Sequence, residues 1–562
     1  MKYSELCKIY EELEKNPSRL KKTEILADFL KKIKNEKDKE IMYLLQGKAF
    51  PDYSEKEFGI SEQLCIKALS KASGISDKEI VLKWKKTGDL GLVAEEIISK
   101  KKQNTLFSNK LTTEKVLDNL KKLPELVGKG TVDKKMSLIS ELLTSASGTE
   151  AKYIIRTLLS DLRIGLGSGT IRDAIVKACL EKTKENTDAV QEAYDKATDW
   201  RLVFEQACKG IKQLEKTELE PGKPVKVMLF LKEDTIEKGF ERVGKPCLID
   251  FKYDGFRMMI NKDENGKIKI FTRRLDDVTK QFPEVREYVE KYVKGKSFIL
   301  DSEAVGFDKT TKKYRPFQEI SQRIKRKYDI EKMEKELPIE VNVFDMLYFN
   351  GRSLIKTPFK ERRKIIEKIV KNQKWKIKTS EAVIADDIEK AEDFYKKAVA
   401  EGEEGIMMKN LSAPYKPGAR VGYGIKIKPE ANEFDLVIVK AEYGTGKRAG
   451  WLTSYTVACK DKDKFLEVGK VSTGLKEKEE EGLSFKELTK KLKPLIEKEA
   501  GREVEVKPKL VVTVIYQNIQ KSPTYNSGFA LRFPRLTRLR PDRSFHDIAT
   551  LSEIEKEYEK AK

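Results

Sequence analysis

Apolar residues recur at three-to-four spacing through the first 215 positions, as in Leu26, Phe29, Leu30 and Ile33, and that stretch holds only Pro17, Pro51 and Pro124. The spacing predicts amphipathic helices and an all-α region over 1–215. At 216–224 the run Lys-Thr-Glu-Leu-Glu-Pro-Gly-Lys-Pro breaks the pattern and reads as a linker. Beyond it, 267–272, 298–305, 340–348 and 424–428 read as short strands, with a helical piece at 360–371 among them. Such interleaving predicts an α+β region with mostly antiparallel sheets over 216–430. After Glu433 the runs 434–439, 454–458, 465–471 and 510–516 are strand-like and separated by glycine-containing turns, which predicts a small β-barrel over 431–562. Three folding units also suit 562 residues, too many for one core.

Charge narrows the partner. Lysine and arginine number 114 against 92 acids, a formal charge of +22, which suits a polyanion such as nucleic acid. Charged residues make up 37% of the chain, mostly lysine and glutamate, a bias reported for hyperthermophile proteins that an AT-rich genome also produces. The six cysteines lack any Cys-x-x-Cys pair and read as reduced core thiols of a cytosolic protein, with no zinc site. The N-terminus has no apolar leader and no run approaches the ~18 apolar residues of a membrane span, so a cytoplasmic protein without membrane contact is expected. His546 is the only histidine, which excludes histidine-based triads and metal sites needing several histidines. Catalysis must then draw on lysine, carboxylates or a bound metal.

Residues 247–260, Cys-Leu-Ile-Asp-Phe-Lys-Tyr-Asp-Gly-Phe-Arg-Met-Met-Ile, set Lys252 between two apolar runs with Asp254, Gly255 and Arg257 behind it. A lysine amine is protonated in all but roughly one molecule in 2,500 at pH 7. To act as a nucleophile it must be partly desolvated and crowded by other cations. In so lysine-rich a chain a bare Lys-x-Asp-Gly arises by chance on the order of one time in four, so the weight rests on the downstream segments. In fixed order come Phe-Ile-Leu-Asp-Ser-Glu-Ala-Val (298–305), Val-Phe-Asp-Met-Leu-Tyr-Phe-Asn-Gly (343–351), Glu-Gly-Ile-Met-Met-Lys (404–409), Ile-Lys-Ile-Lys (425–428) and Arg-Phe-Pro-Arg-Leu-Thr-Arg-Leu-Arg-Pro-Asp-Arg (532–543).

This series resembles the covalent nucleotidyltransferases, and more closely the ATP-dependent DNA ligases of the archaeal and eukaryotic replicative type. The resemblance implies a helical DNA-binding domain (1–215), an adenylation domain (216–430) and an OB-fold domain (431–562). It implies that Lys252 attacks the α-phosphate of ATP to become a lysyl-AMP, and that the AMP passes to the 5′-phosphate of a nick in duplex DNA. The 3′-hydroxyl then seals the break, in replication, repair and recombination. By the same resemblance Asp250 lies near adenine, Arg257 and Glu303 near the ribose, and Phe344 stacks on the base. Lys426 and Lys428 touch the α-phosphate, and Arg273 and Arg420 complete the nucleotide's surroundings. Glu303 and Glu404 are the implied Mg²⁺ ligands, oxygen donors suited to a hard cation. Arg540, Asp542 and Arg543 would meet the leaving pyrophosphate, where planar guanidinium forks pair with phosphate oxygens. A monomer acting on nicked double-stranded DNA is expected.

Local sequence leaves blander meanings open. Phe344 sits in an almost wholly apolar strand and could equally be core, and a glutamate at a strand edge is usually just solvated. Three positions depart from the family: Asp250 where glutamate is common, Gly424 where tryptophan is common, and Arg543 where lysine is commoner. The first bears on adenine selectivity, the last on donor geometry.

Two further segments invite a role. In Leu-Arg-Ile-Gly-Leu-Gly-Ser-Gly-Thr (162–170), glycines precede Ser168 or Thr170 as a helix cap, and Arg163, Gly165 and Gly167 could meet a DNA phosphate. A tight turn between helices is the commoner meaning, by about two to one, but the stretch also resembles the end of the helical domain of replicative ligases. In Lys-Lys-Gln-Asn-Thr-Leu-Phe-Ser (101–108), Gln103, Leu106 and Phe107 resemble an abbreviated sliding-clamp-binding peptide, although a helix edge is the commoner source of such a pattern. Among rivals, mRNA capping guanylyltransferases share the lysine motif without needing the helical domain, and RNA ligases share the chemistry. NAD-dependent ligases are disfavoured by the missing cysteine cluster and the domain order. A basic scaffold would bind DNA and carry no nucleotide.

Overall fold

The computed structural model describes residues 1–562 apart from 36–38, 55, 101–110, 127–129, 316, 325, 327, 430–431, 445–447, 449, 478–482 and 561–562. The chain divides into two compact units, Met1–Lys428 and Pro429–Lys562.

In the first unit, helices run from Tyr3–Lys15 to Ile211–Glu215. Ser18, Ser61, Ser76, Asp89, Thr112, Ser147, Thr183 and Asp199 each accept a backbone N–H at a helix start, which satisfies donors that the helix leaves open. Leu26, Phe29, Leu30 and Ile33, the residues that announced the periodicity, are buried in one apolar core with Tyr10, Ile154 and Phe204. Across that core Arg156 pairs with Glu14 at 3.0 Å and Asp89 at 2.6 Å, tying three helices together. Segment 216–224 has no regular structure yet is not a loose tether. Leu219 is buried with Val225, Met259 and Phe271, and the Thr198 hydroxyl donates to the Pro224 carbonyl at 3.1 Å.

Two sheets follow. The first has the order Leu229–Lys232, Arg420–Ile427, Ile406–Asn410, Cys247–Phe251, Ala382–Ala385. Its first pair is parallel and the others antiparallel. In register, Ile249, Met408 and Ile425 stand abreast on one face and pack against the helix Ile236–Val243. Because side chains alternate along a strand, Asp250, Met407 and Lys426, also abreast, share the opposite face. The second sheet runs Ile268–Thr272, Phe256–Lys262, Phe298–Phe307, Ile339–Phe349, Arg352–Ser353, with Tyr314–Arg315 and Ile377–Thr379 added at its sides. The expected helix at 360–371 is Phe359–Ile369.

The second unit is strand-rich, with curled sheets. Asn432–Tyr443 pairs along its length with Leu452–Asp461 on one side and with Val511–Tyr516 and Glu503–Val506 on the other. Arg535–Leu539 adds beside Val511–Tyr516, and the core holds Leu436, Val457, Val468, Val512 and Leu536. Among the described residues no helix is long and apolar enough to cross a membrane.

Candidate active site

The two sheets of the first unit meet around a cavity of about 920 Å³ lined by Asp250, Lys252, Arg257, Arg273, Glu303, Phe344, Lys409 and Lys426 among others. Lys252 follows directly on the strand Cys247–Phe251. Its backbone N–H donates to the Gly405 carbonyl at 2.8 Å, and its carbonyl accepts from the Glu404 N–H at 2.9 Å. The nucleophile candidate is therefore zipped to the segment 403–405. Gly405 is required there: its φ is +123°, and a Cβ would fall 2.2 Å from the Ile427 carbonyl oxygen. Gly255, where the chain turns into the next sheet, is equally confined, with a Cβ placed 2.2 Å from the Ala304 carbonyl oxygen.

Glu404 Oε2 accepts from Lys252 Nζ at 2.5 Å and from Lys428 Nζ at 2.8 Å. Burial favours its protonated form and pushes its pKa up, but the two ammoniums outweigh burial and hold the carboxyl well below the usual range. Lys426 is pushed below the usual lysine value, first by burial and then by the charges of Lys252, Lys428, Arg420 and Arg273. Glu303 stands directly opposite Arg257 across paired strands. Burial pushes it up to about 7 against the pull of Lys252 and Arg257.

The rest of the lining is aromatic and polar. Phe344 lies under two cations, with Lys409 Nζ 4.7 Å and the Arg257 guanidinium carbon 5.3 Å from its ring centre. Arg257 is held by Asp301 at 2.8 and 2.5 Å and by the Met228 carbonyl at 2.7 Å, while the Tyr415 hydroxyl donates to Asp301 Oδ2 at 2.7 Å. Asp250 Oδ2 accepts from Lys409 at 2.6 Å and Ser380 at 3.3 Å. Its Oδ1 is buried with no hydrogen-bond partner among the described residues.

The fold thus brings Asp250, Lys252, Arg257, Arg273, Glu303, Phe344 and Lys426 to one cavity, with Glu404 and Lys428 joined to it through Lys252. Arg420 does not line it; exposed at the start of the strand that carries Lys426, it acts there by charge. Arg540, Asp542 and Arg543 lie in the second unit. Arg540 pairs with Asp542 at 2.8 Å and Asp435 at 2.7 Å, and Arg543 reaches Asp435 at 3.4 Å. Gln103, Leu106 and Phe107 fall outside the described residues.

The glycine-rich turn corrects the expected cap: Gly167, not Ser168 or Thr170, is the N-cap of the helix Ser168–Cys179, and no side chain caps it. Ser168 is already the first helical residue, which leaves that helix start with backbone donors only. Arg163 adopts a φ of 57° and pairs with Asp161 at 2.6 Å and Asp89 at 3.4 Å, while Gly165 has a φ of +63°.

Sequence reasoning missed five participants. Lys409 and Glu403 lay in or beside a recognised segment without a role, and Tyr415, Asp435 and Phe230 had no local signal. Phe230 explains the family departure at Gly424: a Cβ there would fall 2.4 Å from the Phe230 ring. The neighbouring strand supplies an aromatic ring to the cavity wall.

Family models match along the chain: "DNA ligase N terminus" over residues 2–176, "ATP dependent DNA ligase domain" over 227–428, and "ATP dependent DNA ligase C terminal region" over 448–543. The DNA ligase of Nanoarchaeum equitans is 46% identical, over 100% of this chain and 98% of the relative. That of Thermococcus fumicolans is 41% identical, over 99% and 98%. The solved structure Pmar-Lig_PreS3 covers 95% of this chain and 99% of its own with a TM-score of 0.57 at 19% identity, a likeness of fold. Architecture and relatives together define an enzyme that forms phosphodiester bonds. The chain belongs to the ATP-dependent DNA ligase family and seals nicks in DNA.

Proposed function

We propose that the cavity binds ATP and that Lys252 carries AMP between ATP and the nick. The observation that carries this is one cavity lined by Lys252 and Lys426, with Lys428 joined to Lys252 through Glu404, and by Phe344 and Asp250, whose Oδ1 has no hydrogen-bond partner among the described residues. An adenine fits between Asp250 and Phe344: its exocyclic amine is the donor Oδ1 lacks, and Phe344 offers a face for stacking. The shorter Asp250 is braced by Lys409 at 2.6 Å, which fixes the direction of its carboxyl group. The polyphosphate would then lie toward the lysines. Lys252 loses a proton to solvent, and its lone pair forms the P–N bond as the bond to the bridging oxygen breaks and pyrophosphate leaves. Lys426, Lys428 and Arg273 offset the phosphate charge. The 5′-phosphate of a nick then displaces Lys252 from AMP, and the 3′-hydroxyl displaces AMP to close the backbone.

Glu303 and Glu404 suit Mg²⁺, which takes one or two protein carboxylates and completes its shell with phosphate oxygens and water. When bound, the ion neutralises phosphate charge. Glu303, pushed toward neutrality by burial, gains from a cation beside it, and Lys252 would leave Glu404 to face the phosphate. The three-domain partition at 215 and 430, the OB-fold of the last domain, a monomeric cytoplasmic enzyme and roles in replication, repair and recombination belong to the same reading. So do DNA phosphate contacts at Arg163, Gly165 and Gly167 and pyrophosphate contacts at Arg540, Asp542 and Arg543. Clamp docking through Gln103, Leu106 and Phe107 is part of it too, and predicts that deleting 103–107 lowers stimulation by a sliding clamp while sealing by the free enzyme stays unchanged.

The test is incubation with α-labelled ATP, GTP or NAD and Mg²⁺, a denaturing gel and peptide mapping. A label from ATP on Lys252, abolished in Lys252→Ala, is expected. No covalent label from any nucleotide on unadenylated, folded protein would favour the scaffold, and a label from GTP or NAD alone would reassign the substrate.

A further inference from the structure

Cys179 closes the helix Ser168–Cys179 and Cys208 closes the helix Trp200–Cys208. They stand 29 positions apart in sequence, yet their sulfurs lie 3.2 Å apart. Both are half-buried free thiols, whereas Cys7, Cys65, Cys247 and Cys459 are buried. The expectation of six inert core thiols therefore describes four. A disulfide bond is about 2.05 Å long, so the sulfurs lie roughly 1.2 Å beyond bonding distance.

The surroundings make the pair unequal. Lys34 and Lys39 act on both sulfurs and favour a thiolate, opposed at Cys208 by Glu205. Lys39 is fixed in place by the Ile33 and Lys34 carbonyls, which accept from its ammonium at 3.1 and 2.6 Å. The hydrogen bond shared by the two sulfurs pushes Cys208 down to about 7 and, with burial, raises Cys179. One sulfur is thus a nucleophile near neutral pH while the other keeps its proton, as thiol–disulfide chemistry requires.

We propose that Cys179 and Cys208 form a reversible dithiol–disulfide site, oxidised by a hydroperoxide or a small disulfide, that clips the C-terminal ends of these two helices together. With hydrogen peroxide, the Cys208 thiolate attacks a peroxide oxygen, the O–O bond breaks and hydroxide leaves, giving a sulfenic acid. The Cys179 sulfur then attacks Cys208 Sγ; the S–S bond forms, the S–O bond breaks, and the hydroxyl departs with the Cys179 proton as water. The two thiols together lose two electrons, and the peroxide ends as two waters.

The clip would brace a functional region without touching the cavity. Helix Ser168–Cys179 begins at Gly167, beside the proposed phosphate contacts. Helix Trp200–Cys208 begins with Trp200 stacked on Tyr194 at 3.8 Å, and the helix between, Lys184–Ala197, carries the Asp195 carbonyl that accepts the Lys226 N–H at 3.3 Å. Closing this loop restricts the unfolded chain and stabilises the fold.

The full chain is treated with hydrogen peroxide and, in parallel, with oxidised glutathione, alkylated under denaturing conditions, digested without reductant and analysed by mass spectrometry. The expected product is one peptide pair joined through Cys179 and Cys208, two hydrogens lighter than the free thiols and separated again by dithiothreitol. The oxidised protein should melt a few degrees higher. Cys179→Ser and Cys208→Ser should retain nick sealing and lose both the cross-link and the redox response of the melting temperature. Recovery of both cysteines singly alkylated after either oxidant, or as separate sulfinic acids or mixed glutathione adducts, would overturn the proposal. Cross-links joining other cysteines would do the same.

Discussion

Glu403 and Glu404 are neighbours in sequence with opposite acidity. Burial raises the pKa of both, but Glu404 has two ammoniums against one oxygen, whereas Glu403 has the Asp254 N–H, at 3.1 Å, the weaker pull of Lys378, and an Oε1 without a hydrogen-bond partner among the described residues. Burial therefore pushes Glu403 up to about 8 from its ordinary 4.5. A neutral acid at that place grips the backbone two residues after Lys252 without adding negative charge beside the nucleophile. The sign for stability is set by proton binding. Between pH 4.5 and about 8 the unfolded chain has released this proton and the folded chain retains it, so stability falls as pH rises through that window. Glu403→Gln, which keeps shape and acceptor but cannot ionise, should match the parent near pH 4.5 and melt about 5 °C higher near pH 9. Glu303, pushed up to about 7, contributes with the same sign but is present in both proteins and cancels in the comparison. Thermal unfolding across pH measures this, and parallel curves for the two proteins would refute it.

At the scale of strands and loops, Asp435 shows how a motif is assembled from outside itself. Arg540 and Arg543 come after the strand Arg535–Leu539, and both turn toward Asp435 Oδ2 on Asn432–Tyr443, two strands away across Val511–Tyr516. Thr513 holds the other oxygen at 2.6 Å, so the carboxylate is a fixed anchor for two forks. Asp435→Asn should slow adenylation by ATP about tenfold, of order 1.4 kcal/mol, because the arginines lose their common orientation. Closure of a pre-adenylated nick should be unchanged; equal slowing of both steps would mean a general folding defect. Asp435 was invisible in sequence because it stands more than a hundred positions from the arginines it aligns, whereas Lys252, Glu303, Phe344 and Lys426 each sit in one of the ordered segments that carry the family resemblance. Phe230 and Tyr415 escaped for the same reason as Asp435: their partners, Gly424 and Asp301, lie more than a hundred positions away and meet them only in the folded chain. The helical region was legible from its three-to-four spacing, while the packing of 216–224 was not, since Leu219 is buried by elements lying far along the chain.

At the scale of the whole molecule, charge separates two steps that geometry joins. On the proposed reading, adenylation would engage one nucleotide in a partly desolvated cavity, beside which Glu404, Lys252 and Lys428 interact at 2.5 and 2.8 Å and salt screens little. Sealing must first hold a duplex, and a chain with a net charge of +22 would do so chiefly by releasing counterions from phosphates. The logarithm of affinity for nicked DNA should therefore fall linearly with the logarithm of salt concentration. If the enzyme neutralises about 6–10 phosphates, affinity drops on the order of 10³–10⁵-fold between roughly 50 and 200 mM salt. Single-turnover labelling of Lys252 by ATP should change far less over the same range. Binding titrations and labelling rates on one preparation decide the matter. A flat binding curve would mean that contacts other than phosphates hold the duplex, and parallel losses in both assays would mean that salt disturbs the cavity itself and not the DNA-binding surface.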